Sequence, residues 1–239
     1  DWSSDVCSSD LDSLPAQRAH QRVHCHQQEP PDQPRRGLAA RGFNEAITWA
    51  FLAETQAKLF GGGQPELKLA NPISSELTDM RPSLLPSLVA AVGRNMARGF
   101  GDLALCEVGH AYSGDRPEDE TLRAAGVRRG QAMPRNWLGG TRPVDAFDAK
   151  ADALAALETA GVPIATVQIV AGAPSWFHPG RSGTIQMGPQ NKFAHFGELH
   201  PGVLAAMDVK GPLVGFEIVR NAIPGGKGRS RARPALNAS

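Results

Sequence analysis

The feature that most constrains this chain is a series of strand-length apolar runs in its second half, at residues 103–112, 166–170, 183–187, 192–197 and 213–219. Helical patterns are interspersed among them, at 148–160 and 201–207. No βαβ repeat carries a glycine-rich phosphate loop, which removes the support for a Rossmann or P-loop reading. Several strands with interspersed helices predict an α+β fold, a largely antiparallel sheet with flanking helices.

The strongest helix signal lies upstream. Ser83 reads as an N-cap, and Leu84, Leu85, Leu88, Val89, Val92 and Met96 recur at three- and four-residue spacing up to Gly99. That stripe must be core or interface. Before it, Ile47, Trp49 and Phe51 alternate as on a half-buried strand over residues 45–51. A short helix is predicted over 53–60, stopped by Gly61-Gly62-Gly63, then a short strand over 67–70 and a turn at Asn71-Pro72.

Composition limits function more than it defines it. With 41% hydrophobic and 21% charged residues the chain carries enough apolar material for one large or two modest folded units. A formal net charge of +1 excludes nucleic-acid binding by bulk electrostatics, leaving only local contacts. No apolar stretch approaches the roughly 20 residues a membrane helix requires, so a cytoplasmic location and no membrane partner are expected. Cys7, Cys25 and Cys106 are too widely spaced for a disulfide framework or a zinc site, and Cys106 reads as a small core residue.

The two ends differ from the middle. Residues 1–11, which include Trp2 and Cys7, resemble a sequencing-adapter oligonucleotide read in frame and are set aside as an artefact. Residues 12–35 crowd Gln, His, Pro and Arg. His24, Cys25 and His26 there invite a metal reading, but the further ligands of a closed site are missing nearby, and the stretch reads as disordered or misread. Residues 223–239 form a basic Gly/Pro-containing linker; an RNA contact through their cations is the alternative. The folded module is thus expected over 36–222.

Within it, five blocks occur in a fixed order: Arg41-Gly42-Phe43-Asn44-Glu45-Ala46-Ile47-Thr48-Trp49-Ala50-Phe51, then Asn71-Pro72-Ile73-Ser74-Ser75-Glu76-Leu77 with Met80-Arg81-Pro82-Ser83-Leu84-Leu85-Pro86, then Glu107-Val108-Gly109, His178-Pro179-Gly180-Arg181-Ser182, and Gly197-Glu198-Leu199-His200-Pro201. In these the sequence resembles the phenylalanyl-tRNA synthetase β-chain family. The resemblance implies a class II aminoacyl-tRNA synthetase-like module in an α2β2 heterotetramer, in which the α subunit attaches phenylalanine to its tRNA using ATP and magnesium. It implies no catalytic, cofactor or metal residue in this module itself, and tRNA contact only through the complete complex. The family's editing domain, its magnesium-binding segment and its anticodon-binding-like domain are not recognisable here.

One implication can be tested on the residues. Activation of an amino acid places dense negative charge on the ATP α-phosphate, which preorganised guanidinium groups must meet. Active class II sites carry an arginine two residues before a strand glutamate; here Leu105 precedes Glu107. The late segment 213–220 keeps a strand pattern but lacks the glycine-rich stretch that would let a nucleotide approach the backbone, leaving Arg220 as the sole stand-in. An autonomous ATP-using enzyme working through Arg220 or Arg181 is therefore a rival reading, as is RNA binding through the tail.

The remaining polar candidates each have two readings. His178 and Arg181 in a Pro-Gly turn could bind an anion, or Arg181 could clamp a carboxylate. Glu198 with His200 resembles an acid–base pair, yet His200-Pro201 also suits a helix start. Arg81 could reach a partner subunit or pair with Glu76 or Asp79. Leu84, Leu88 and Val92 are the candidate buried or interface surface.

Overall fold

A computed structural model describes residues 32–133, 137 and 140–219. The expectations for residues 1–31, for Arg220 and for the basic tail lie outside the described residues. The helices are α1 (Asp32–Ala40), α2 (Glu54–Leu59), α3 (Leu85–Ala97), α4 (Ala146–Thr159) and α5 (Pro201–Ala206). The strands are β1 (Asn44–Glu45), β2 (Phe51–Leu52), β3 (Asp79–Met80), β4 (Leu103–Tyr112), β5 (Glu120–Arg129), β6 (Gln168–Ala171), β7 (Phe177–Gln186), β8 (Lys192–Leu199) and β9 (Val214–Val219).

Seven strands form one sheet in the order β1-β4-β5-β9-β8-β7-β6, antiparallel at every junction except β1 against β4. Because side chains alternate across a strand, each buried strand supplies two faces. On one face Cys106, Val108, Ala124, Phe216 and Ile218 meet Leu38 of α1 and Ala149, Ala153, Ala156 and Leu157 of α4. On the other, Leu105, Ala125 and Val127 meet Leu84, then Leu85, Leu88 and Val92 of α3, and Val203 and Leu204 of α5. Both faces of the sheet centre are covered, giving the predicted α+β architecture. Cys106 is 2% exposed, and burial pushes its thiol up to about 12, so it stays protonated as an inert core residue.

Local chemistry explains the helices. Asp145 caps α4 by accepting from the Phe147 and Asp148 amides, and Asp148 returns a bond to the Asp145 amide. The alanine face of α4 then lies close on the sheet. Where Phe43 and Phe216 pack edge to face, Gly126 makes room: a Cβ there would lie 2.7 Å from the Phe216 ring. Gly61, at φ +84°, ends the segment after α2, as the glycine run predicts.

Several expectations need correction. Residues 45–51 are not one half-buried strand: the chain leaves the sheet after Glu45, and Ile47 and Trp49 are 92% and 67% exposed. Residues 67–70 are not a strand either, but the end of a 3-10 turn followed by a single bridge from Lys68 to Asp79. His178 to Ser182 lie in β7 rather than in a turn, at an irregularity where β7 has more residues than β8 between paired positions. Strand β5 was not expected, because its arginines and its Ala-Ala-Gly centre mask the apolar pattern. Helix α1 starts at Asp32, before the expected module boundary. Helix α3 begins one residue late, at Leu85 with Leu84 at the cap, although the Ser83 hydroxyl still accepts from the Leu85 amide.

Candidate functional site

In β4, the aliphatic Leu105 is half-buried against the α3 layer. Two residues on and on the same face stands Glu107, 4% exposed. A carboxylate buried this deeply needs partners. Arg81 Nη1 donates to one oxygen at 2.7 Å, and the Thr48 hydroxyl donates to the other at 2.6 Å. Arg81, 4% exposed, also donates to the Thr48 hydroxyl at 2.9 Å and to the His110 carbonyl at 2.7 Å. The guanidinium thus ties β4, the segment before β2 and the segment before α3 into one cluster.

The strand register sets a row across this face, polar except at β5: Glu107 on β4, Ala125 on β5, Glu217 on β9, His195 on β8 and Thr184 on β7. Glu217, 3% exposed, accepts from the Ser83 hydroxyl at 2.9 Å and the Leu84 amide at 2.8 Å, and from Arg123 Nη1 at 3.1 Å. Its charge therefore sits at the start of α3, where unpaired amides and the helix dipole favour an anion. The Thr184 hydroxyl donates its one proton to the Gly172 carbonyl at 2.7 Å, so in its 2.9 Å contact with His195 it accepts from Nδ1–H. Burial pushes His195 down to about 4, with Lys192 and Arg123 adding to the effect, and the ring is neutral at pH 7.

Chemically, this face is occupied from within. Both carboxylates are bound by internal donors, and Arg81 and Arg123 are paired to those carboxylates. Among the described residues no group of three or more His, Cys, Asp or Glu side chains could hold a metal ion.

The sequence candidates fall out as follows. Arg81 pairs with Glu107 rather than with Glu76 or Asp79, because the chain carries its side chain under the sheet edge. Leu84, Leu88 and Val92 are 0% exposed, so of the two readings for the stripe the structure has the buried one. Arg181 clamps Glu198 at 3.1 Å. His178 Nδ1 accepts from the Gly180 amide, and His200 Nδ1 accepts from the Gly202 amide as the cap of α5. Glu198 and His200 are thus each engaged elsewhere and form no acid–base pair. Sequence reasoning passed over Thr48, Arg123, His195 and Glu217. The available signal was Glu217 itself, a charge inside an apolar strand, which demands a buried partner.

Beside the cluster, the exposed Ile47 and Trp49 line a groove of about 780 Å³ together with Phe51, Leu77, Ala90 and Arg94.

Among the described residues no helix is long and apolar enough to cross a membrane. A pyrrolysyl-tRNA synthetase from Desulfitobacterium hafniense matches the fold with a TM-score of 0.57 at 16% identity, over 79% of this chain and 64% of that one. This likeness identifies the α+β fold as class II synthetase-like. At the sequence level, the chain is 57% identical over 210 residues to the phenylalanine–tRNA ligase beta subunit of Brucella suis, covering 86% of this chain and 26% of that relative. It is 56% identical over 206 residues to the corresponding beta subunit of Rhodospirillum rubrum, again with 26% of the relative covered. The chain spans about a quarter of the length of these curated relatives. The model of the family described as the phenylalanyl-tRNA synthetase beta chain CLM domain matches residues 12–219, and the chain therefore belongs to the phenylalanyl-tRNA synthetase β-chain family.

Proposed function

We propose that this chain is a non-catalytic module of a phenylalanine–tRNA ligase, packing against the catalytic α subunit within a cytoplasmic α2β2 assembly. In this reading the α subunit uses ATP and magnesium to attach phenylalanine, tRNA is met by the complete complex, and this module binds no cofactor of its own. The observation that carries it is the occupied sheet face: Leu105 stands where an ATP-binding arginine is required, and Glu107 and Glu217 are bound by Arg81, Thr48, Ser83 and Arg123. A nucleotide phosphate would find neither a spare guanidinium at position 105 nor space beneath α3.

The relatives are named as beta subunits, so their assembly contains a second kind of chain. The groove beside Ile47 and Trp49 is the surface this reading assigns to it, since the α3 stripe is buried and these two large apolar side chains stand exposed together along it. ATP–pyrophosphate exchange tests the proposal. The chain alone should show no exchange with phenylalanine present, and it should co-purify with a co-expressed α subunit. Phenylalanine-stimulated exchange by the chain alone, or failure to associate, would overturn it.

A further inference from the structure

The segment between β1 and β2 carries Ile47 and Trp49 out of the sheet, yet it is not held by apolar packing at its tip. Its anchor is polar. Thr48, lying between the two exposed side chains, donates its hydroxyl proton to Glu107 and accepts from Arg81, and its amide approaches the same carboxylate at 3.4 Å. The Ala46 amide donates to the Cys106 carbonyl, and the Arg81 amide donates to the Ala50 carbonyl, so both ends of the segment are tied as well. Glu107 and Arg81 are in turn fixed by burial, at 4% exposure each.

We infer that Glu107 is a positioning residue: acting with Arg81 through Thr48, it holds residues 46–50 in the one arrangement that displays Ile47 and Trp49 together at the groove. The inference rests on the reading above, that the α subunit covers this groove, and gives a reason for a buried carboxylate on a face that performs no chemistry. A short exposed segment would otherwise sample many conformations, and a partner would have to order it on binding. Anchoring beforehand removes that cost from association. The same carboxylate that would follow the ATP-binding arginine in an active site serves here as the support of a contact surface.

The test measures α-subunit affinity by titration against the chain and three variants, with hydrogen exchange of residues 46–50 and thermal unfolding followed in parallel. Thr48→Val keeps the shape and removes both hydroxyl bonds. It should raise exchange at 46–50 and weaken association about tenfold, while exchange in β4, β5 and α3 stays as in the parent chain. Thr48→Ser keeps the hydroxyl and should restore affinity and protection, a rescue that a purely steric role for the threonine methyl would not produce. Trp49→Ala removes the displayed side chain and should weaken association without loosening the segment.

The outcomes separate the two layers. If Trp49→Ala weakens binding and Thr48→Val leaves it unchanged, the positioning role is overturned and the docking surface stands. If neither changes binding, the groove is not the α-subunit surface. Should Thr48→Val unfold the chain, Thr48→Ser decides: parent-like affinity and protection uphold the inference, and a loss of either overturns it.

Discussion

Removing Arg81 should show how much of this fold depends on one buried ion pair. Arg81 and Glu107 have side chains only 5% exposed and meet at 2.7 Å, so water screens neither charge. Arg81→Met retains much of the aliphatic volume but leaves the Glu107 carboxylate buried with only Thr48 to bind it. Breaking such a pair from one side costs about 3–5 kcal/mol, because the remaining charge is uncompensated. Against a total stability of about 5–15 kcal/mol for a domain, that is a large fraction. Removing both charges, Arg81→Met with Glu107→Gln, leaves no orphaned ion and should cost less than Arg81→Met alone. The assay is urea unfolding of the parent, both single variants and the double variant, read as a double-mutant cycle. If the single and double effects are additive, or if Arg81→Met costs less than about 1 kcal/mol, the pair is not the compensated buried charge described and the argument fails.

Three further outcomes follow from particular contacts. His195 is depressed to about 4 from an ordinary value of 6.5, so the unfolded state takes up its proton first and stability should fall as pH drops from 6.5 towards 4, by about 3 kcal/mol in all, with no dependence from this group above that window; His195→Gln should flatten this part of a stability–pH curve, and an unchanged slope would assign the effect to other groups. Asp145→Ala removes the cap of α4 and should cost about 1 kcal/mol in chemical denaturation. Gly126→Ala should lower the melting temperature through a clash with Phe216 and Phe43, with a destabilisation of about 1–3 kcal/mol, whereas a neutral result would mean that the aromatic pair relaxes freely.

Much of the fold can be read from local pattern. Strand β4 spans the expected residues 103–112, since apolar residues predominate along it in spite of Glu107 and His110, and α4, expected over 148–160, follows from its alanine/leucine run and starts two residues earlier behind the Asp145 cap. Strand β5 escaped notice because strand character there comes from its neighbours: Arg123 and Arg128 look solvent-facing until Glu217 and Asp152 are placed beside them. The segment 45–51 misled for the opposite reason. Its alternation is that of a buried strand, but the hydrogen bonds from Thr48 to Glu107, 59 positions away, draw it off the sheet and leave Ile47 and Trp49 outside.

By itself the sequence determined the fold class, the helix start at His200-Pro201, the family blocks and the presence of a leucine two residues before Glu107, because these depend on residue type and short spacing. Only the tertiary structure decided that Arg81 belongs to Glu107, that Glu217 caps the start of α3, and that the leucine stripe is buried while Trp49 is displayed. Those pairings join positions far apart in the chain, and a buried charge identifies its partner only when the sheet register has brought the two together.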